Sequence, residues 1–317
     1  MQHQIPVEKY GSTGEIMSSQ VKACVHCGFC LASCPTYQEL GEEMDSPRGR
    51  IYLMKEALEG NSSFNQVAPY VDRCLGCLAC VPACPSGVQY GELLVAFREQ
   101  LEKNRSQTFH QKVIRFMVRH VLPFPGRFKL ALQLGRRTRP LGFLVPRQQR
   151  KMLELLPEQE PARRIEASPP RSEAVRARVA LLNGCVQDVL APEINRATRR
   201  VLAVNNVGIV PVDGQSCCGA LAMHCGETAS ARQLASNNLN CFPADVDAIL
   251  TNTAGCGSGM KEYPLLFAGT DRHTDAIVFN LLDQDISTFL CLIEIKPLSL
   301  ITRVLVAYHD TCHVDNT

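Results

Sequence analysis

No run of about 18 apolar residues occurs in this 317-residue chain, and that excludes a transmembrane helix at the level of sequence. Any membrane association is then peripheral or made through a partner. The N-terminus, Met1 to Glu15, has no apolar h-region of the secretory kind. This counts against a secreted disulfide protein, the first reading that sixteen cysteines invite. Disulfide scaffolds are also usually short. Thiolates bound to metal in a reducing cytoplasm explain the count better. There is no G-x-G-x-x-G, no P-loop and no acid–base constellation, so the chain is not expected to oxidise a substrate alone. Charge of one sign is lacking overall: 33 Lys and Arg against 31 Asp and Glu leave +2, which says little about partners. Tryptophan is absent and excludes nothing. A hydrophobic fraction of 45% is normal for a folded protein, and the length suits two domains.

What is there in abundance is cysteine, in a pattern. Cys24-Val-His-Cys27-Gly-Phe-Cys30-Leu-Ala-Ser-Cys34-Pro35 returns fifty residues later as Cys74-Leu-Gly-Cys77-Leu-Ala-Cys80-Val-Pro-Ala-Cys84-Pro85. Both read C-x2-C-x2-C-x3-C-P. That spacing lets a short loop aim three thiolates at one iron–sulfur cube, while the fourth cysteine ligates the cube of the other run. One 4Fe–4S cluster is therefore expected on Cys24, Cys27, Cys30 and Cys84. The second is expected on Cys74, Cys77, Cys80 and Cys34. Structural zinc and free thiols are the competing readings. Zinc favours two separated pairs per site, which fits less well.

Residues 1–20 read as a flexible or weakly helical lead-in. After the first run, Ser46 is an N-cap candidate with Pro47 at the first helical position. Ile51, Met54, Ala57 and Leu58 then recur at helical spacing, and Gly60 ends the element. Arg48 and Arg50 are either solvated charges on a first turn or cations facing the clusters. A helix is expected from about Val88 to Lys103, with Leu94, Phe97 and Leu101 buried. Residues 1–105 thus form a mostly α-helical domain around two clusters.

Residues 98–151 carry 14 Lys and Arg against only Glu99 and Glu102, interleaved with Phe109, Phe116, Phe124, Phe128, Leu130, Leu134 and Phe143. Three readings compete: a basic amphipathic surface for an anionic membrane or a partner, a nucleic-acid patch, or packed helices with a solvated basic side. No nucleic-acid motif accompanies the charge, and no nucleic acid is expected as partner. From Pro146 to about Arg178, Pro157, Pro161, Pro169 and Pro170 break any long helix. Residues 106–177 are accordingly a basic helical segment followed by a Pro-rich linker.

The second half alternates strands and helices, which implies a parallel α/β sheet. Strands are expected at 179–183, 208–212 and 246–252, and helices at 193–205 and 226–240. Cys185, the pair Cys217 and Cys218, and Cys256 each stand just past a predicted strand. Loops after parallel strands gather at one sheet edge, so these four thiols should converge. Converging thiolates suit a soft metal or an iron–sulfur cluster, and buried or redox-active thiols are the plainer reading. Cys225, Cys241, Cys291 and His224 read as structural.

At these residues the chain resembles the iron–sulfur subunits of membrane-associated dehydrogenases, most closely the glycolate oxidase iron–sulfur subunits. The resemblance is carried by the doubled cysteine run, by Cys34-Pro-Thr-Tyr37, by Asp45-Ser-Pro-Arg-Gly-Arg-Ile-Tyr-Leu53, and by the later C…CCG…GC pattern. Residues 100–177 match only loosely. It implies a multidomain chain: a bacterial-type, α-helical ferredoxin domain with two 4Fe–4S clusters, then an α/β parallel-sheet cysteine-rich domain over residues 178–302. The related domains of heterodisulfide reductases imply a third cluster, on Cys185, Cys217, Cys218 and Cys256. The fullest version of that motif ends C-x-x-C, whereas Gly257-Ser-Gly259 follows Cys256 here. Arg303 to His313 looks like the start of a second cysteine-rich repeat, so residues 303–317 read as its truncated opening.

The resemblance implies an electron-transfer subunit with no catalytic residue of its own. FAD is expected on partner dehydrogenase subunits that oxidise glycolate to glyoxylate, with a quinone or other membrane acceptor at the far end. The expected location is the cytoplasm, peripherally at the inner face of the plasma membrane. A subunit serving glycerol 3-phosphate or lactate, a thiol–disulfide reductase using Cys217 and Cys218, and a non-catalytic zinc or iron–sulfur interaction module remain alternatives.

Overall fold

The computed structural model describes residues 2–138 and 175–295, together with residue 305. The predicted start of a second repeat and most of the Pro-rich linker therefore lie outside the described residues. Helices and strands are numbered below in chain order.

Of the two readings of the N-terminal lead-in, flexible or weakly helical, the helical one is observed, and the segment is packed. Helix α1 (Ser12–Ala23) buries Gly14, Met17 and Val21 along α5 (Tyr90–Asn104). The Tyr10 hydroxyl donates to the Leu58 carbonyl at 2.6 Å and ties the segment down. Its apolar stripe is too thin to announce a helix, and the packing of Met17 and Val21 supplies what propensity does not.

After a short helix, α2 (Pro35–Leu40), α3 (Pro47–Glu59) begins where the sequence places it. The Ser46 hydroxyl accepts from the Gly49 N–H at 2.9 Å, and Gly60 closes the helix in the left-handed conformation. Ile51, Met54, Ala57 and Leu58 form its buried face. Helix α4 (Phe64–Asp72) opens with a capping box between Ser63 and Gln66. Helices α1, α3, α4 and α5 close one core around Met17, Met54, Leu58, Val71, Leu93 and Phe97, and Cys24 and Cys80 belong to it.

Helices α6 (Phe109–His120) and α7 (Pro125–Thr138) hold the described part of the basic segment. Their charge is only partly solvated. On α6, Arg115 pairs with Glu102 and Arg119 with Glu227 of the second domain, and Arg105, just after α5, pairs with Asp72 and Glu102. Val118 is buried, while Phe109 and Phe116 stay exposed.

The second domain is a four-stranded, all-parallel sheet in the order β2-β1-β3-β4. The strands are β1 (Ala177–Leu181), β2 (Val207–Val210), β3 (Ala248–Thr251) and β4 (Asp283–Asp285). Its helices are α8 (Gln187–Leu190), α9 (Pro192–Val204), α10 (Ala220–His224), α11 (Thr228–Cys241), α12 (Ala254–Lys261), α13 (Tyr263–Leu266), α14 (His273–Leu282) and α15 (Ile286–Leu292). The three expected strands are present, shifted toward the N-terminus or shortened. Cys256 opens α12 instead of lying in a loop, and Cys291 is exposed on α15 instead of packed. Because β1 has β2 on one side and β3 on the other, the connections diverge beside it and leave a crevice at the C-terminal strand ends. One face of the sheet packs through Ala180, Met260, Tyr263 and Phe279, the other through Val179, Leu202 and Phe289. Among the described residues no helix is long and apolar enough to cross a membrane.

Candidate iron–sulfur sites

The stretch Asp45 to Arg50 is a scaffold between the two cysteine runs, and each residue in it has a task. Ser46 and Pro47 start α3. Arg48 pairs with Glu43 at 2.7 Å and donates to the His26 carbonyl at 3.2 Å, bracing the first run. Gly49 lies directly against the Glu43 carbonyl, where a β-carbon has no room. Arg50 is 1% exposed. Its guanidinium donates to Cys34 Sγ at 3.9 Å, to Thr36 Oγ1 at 3.0 Å, to Asp45 Oδ1 at 3.1 Å and to the Tyr70 carbonyl at 2.8 Å. Of the two arginines raised by the sequence, Arg50 brings its guanidinium to a cysteine sulfur, and Arg48 meets Cys30 through its main-chain N–H.

Two cavities result. One, of about 410 Å³, is lined by Cys24, Cys27, Cys30 and Cys84, and by Cys80 as well. The other, of about 320 Å³, is lined by Cys34, Cys74, Cys77 and Cys80. The first cavity thus takes three cysteines from the first run and Cys80 and Cys84 from the second, the other takes Cys34 from the first run and three from the second, Cys80 borders both, and no carboxylate lines either. Among the described residues no set of three or more His, Cys, Asp or Glu side chains closes round a single metal ion; the sulfurs stand round a space. Burial pushes the Cys24, Cys30 and Cys80 thiols up, and neighbouring cysteines push Cys80 further. Sulfurs crowded so that each opposes the next one's ionisation are what a bound cationic iron core relieves. The donor set fits a 4Fe–4S group in both cavities.

Tyr90 lines both cavities, is buried, and donates from its hydroxyl to Cys74 Sγ at 3.8 Å. Burial holds its phenol well above the ordinary value, so it stays a donor. Sequence reasoning missed it, because a tyrosine at a helix start reads as core.

The four later cysteines do meet. Cys185, Cys217, Cys218 and Cys256 line one cavity of about 800 Å³ at the C-terminal ends of β1, β2 and β3. Cys185 Sγ lies 3.1 Å from Cys217 Sγ. Thiol donation from Cys185 and Cys218 lowers Cys217 well below the ordinary thiol value and raises both donors, the behaviour of one thiolate shared among close sulfurs. The rest of the lining is largely apolar, including Val118, Leu122, Leu221 and Leu234. His224 also lines it and is bonded to Glu262 at 2.7 Å, a pairing that sequence does not reveal.

The two halves touch through α5. Leu94 and Phe97 belong to the first core, and Val95 to the second. A β-carbon at Gly91 would meet Leu78 at 3.3 Å and Glu262 Oε1 at 4.0 Å. Gly91 of α5 therefore lies close both to the second run's Leu78 and to Glu262, the partner of His224.

Comparison with known proteins places these features. The family described as "4Fe-4S dicluster domain" matches residues 20–88, and "Cysteine-rich domain" matches residues 179–261. Residues 20–88 are thus a two-cluster 4Fe–4S domain. The chain is 38% identical to the glycolate oxidase iron–sulfur subunit of Escherichia coli over 81% of its length, and 37% identical to the probable glycolate oxidase iron–sulfur subunit of Bacillus subtilis over 92%. It spans 62% and 71% of those two proteins. The CoM/CoB fumarate reductase of Methanothermobacter marburgensis contributes a more distant relative, 25% identical over 94% of this chain and 52% of its own length. No solved structure matches. By its paired cysteine runs, its cysteine-rich sheet domain and these relatives, the chain belongs to the family of glycolate oxidase iron–sulfur subunits.

Proposed function

We propose that this chain is the electron relay of a glycolate-oxidising complex. A partner FAD subunit takes two electrons and two protons from glycolate, giving glyoxylate. Iron–sulfur clusters supply one-electron steps, so they can pass the pair on singly. In this reading Cys24, Cys27, Cys30 and Cys84 hold one cluster, and Cys34, Cys74, Cys77 and Cys80 the other. Cys185, Cys217, Cys218 and Cys256 hold a third redox group beside the acceptor, at the inner face of the membrane. The observation that carries the reading is the contact of both halves on α5, whose Gly91 has Leu78 of the second run and Glu262, the partner of the third cavity's His224, both close by. Redox groups held within one packed body are what a relay requires. The chain's own residues wall off water, fix the sulfurs and neutralise charge.

The test is anaerobic purification of the tagged chain from its own cells, with iron counted and EPR followed as glycolate is added. Co-purification of a flavoprotein and glycolate-dependent cluster signals support the proposal. Clusters reduced by lactate or glycerol 3-phosphate but not by glycolate would keep the relay and change the substrate. Disulfide reduction by the isolated chain, lost in Cys217→Ser, would favour a reductase instead.

A further inference from the structure

The two ferredoxin-type cavities differ in their surroundings. The outer one contains Cys27, the exposed cysteine among the eight. Its arginine, Arg48, is balanced by Glu43. The inner one has no exposed cysteine: Cys34 and Cys80 are buried, as Cys24 of the outer one is, and Cys74 and Cys77 are half-buried; its loop residue Leu78 lies by Gly91 of α5, which also has Glu262 of the cysteine-rich domain nearby. Adding an electron to a buried, negatively charged group is costly in a low dielectric. Burial alone would therefore make the inner position the harder one to reduce and would halt an electron at the outer one.

Two buried side chains act against that. Arg50 donates to Cys34 Sγ at 3.9 Å, and Tyr90 donates to Cys74 Sγ at 3.8 Å. Hydrogen bonds to ligand sulfurs and local positive charge raise the potential of an iron–sulfur group. The charge of Arg50 is not cancelled. Asp45 accepts from Arg50 at 3.1 Å and also from Arg73 at 2.9 and 2.8 Å. Two guanidiniums on one carboxylate leave a net positive charge, and a guanidinium does not lose its proton.

We propose that Arg50 and Tyr90 are positioning residues for electron transfer: they raise the potential of the cluster held by Cys34, Cys74, Cys77 and Cys80, so that electrons entering at Cys27 pass inward to the cysteine-rich domain. Each step moves one electron, with no bond made or broken and no proton taken up by this chain. The inference rests on the ligand assignment proposed above.

The experiment is a dithionite titration of the whole, anaerobically purified protein with the cluster midpoints read by EPR. Tyr90→Phe keeps the ring and removes only the hydroxyl. Arg50→Lys keeps the charge and removes the fork. Both should lower the same single midpoint and leave the other in place. The signal that moves should be lost in Cys77→Ala and kept in Cys27→Ala. No shift in Tyr90→Phe, an equal shift of both midpoints, or a shift confined to the signal lost in Cys27→Ala overturns the inference. Tyr90→Phe decides alone should Arg50→Lys fail to fold. Loss of one and the same signal in Cys27→Ala and Cys77→Ala would instead defeat the ligand assignment.

Discussion

Gly226, just past α10 in the cysteine-rich domain, packs on the main-chain carbonyl of Arg98 in α5. Its φ of +79° is one that L side chains rarely adopt, and any β-carbon there would run into that carbonyl. The two domains are thereby held at backbone distance. Arg98 in turn donates to the Cys74 carbonyl at 2.8 Å, so the same residue braces the second cysteine run.

Gly226→Ala should therefore loosen the domain contact at a cost of about 1–3 kcal/mol. The expected result is a lower thermal midpoint and faster proteolysis between the domains, with iron in the first domain retained. An unchanged midpoint and cleavage rate would mean that α5 yields at this point.

Asp45→Asn strikes the scaffold. Asp45 is 1% exposed and serves Arg50 and Arg73 together. Removing one partner of a buried ion pair typically costs about 3–5 kcal/mol, because the other charge stays buried without compensation. The variant should melt well below the parent protein and lose iron sooner under air. Arg73→Gln, at a half-exposed position, should be much milder; equal loss in both would show that the cost is not one of burial.

The parts legible in the sequence were those written locally. Ser46, Pro47 and Gly60 mark α3 because caps are decided within a few residues. The C-x2-C-x2-C spacing likewise announces its chemistry without reference to the fold. Helix α1 was legible only as a weak helical tendency, since Met17 and Val21 acquire meaning only against α5. Nor was β4, three residues of Asp-Gln-Asp held by pairing with Ile249, Leu250 and Thr251. Tyr90 on Cys74, Arg50 on Cys34 and His224 on Glu262 are pairings of residues far apart in the chain or ambiguous in role. Convergence of the four later cysteines followed from topology, whereas the placing of Cys256 on a helix did not.

Asp283 predicts a pH dependence. It is buried on β4, and neither carboxylate oxygen has a partner among the described residues. Burial pushes its carboxyl up to about 7 from 3.8; Asp285 pushes the same way and Lys261 opposes. The folded chain then keeps a proton that the unfolded chain releases near its ordinary value. Between those two values the native state binds more protons, so this group's contribution to stability falls as pH rises. Asp283→Asn should melt above the parent protein at pH 8, with the gap closing toward pH 5. A gap that does not change with pH would mean that the carboxyl titrates normally.

The crossed cysteines allow the sharpest genetic test of the ligand assignment. Cys34 stands in the first run but lines the cavity of Cys74, Cys77 and Cys80, and Cys84 stands in the second run but lines that of Cys24, Cys27 and Cys30. If ligation follows the cavities, Cys34→Ala and Cys77→Ala damage the same cluster. The double variant should then keep the Cys24 cluster, about four irons of the first domain's eight. Cys34→Ala with Cys27→Ala should lose both clusters, although these two cysteines share a run. Ligation within each run predicts the reverse pattern, with the Cys34 and Cys27 pair keeping one cluster. Iron analysis and EPR of the two double variants separate the cases without any measurement of activity. The stability of the domain enters as well. In the crossed arrangement each cluster would bridge the runs, so losing one would leave them joined through the other, and losing both would remove every metal tie between residues 24–34 and 74–84. The Cys34 and Cys27 double variant should accordingly be the less soluble of the two.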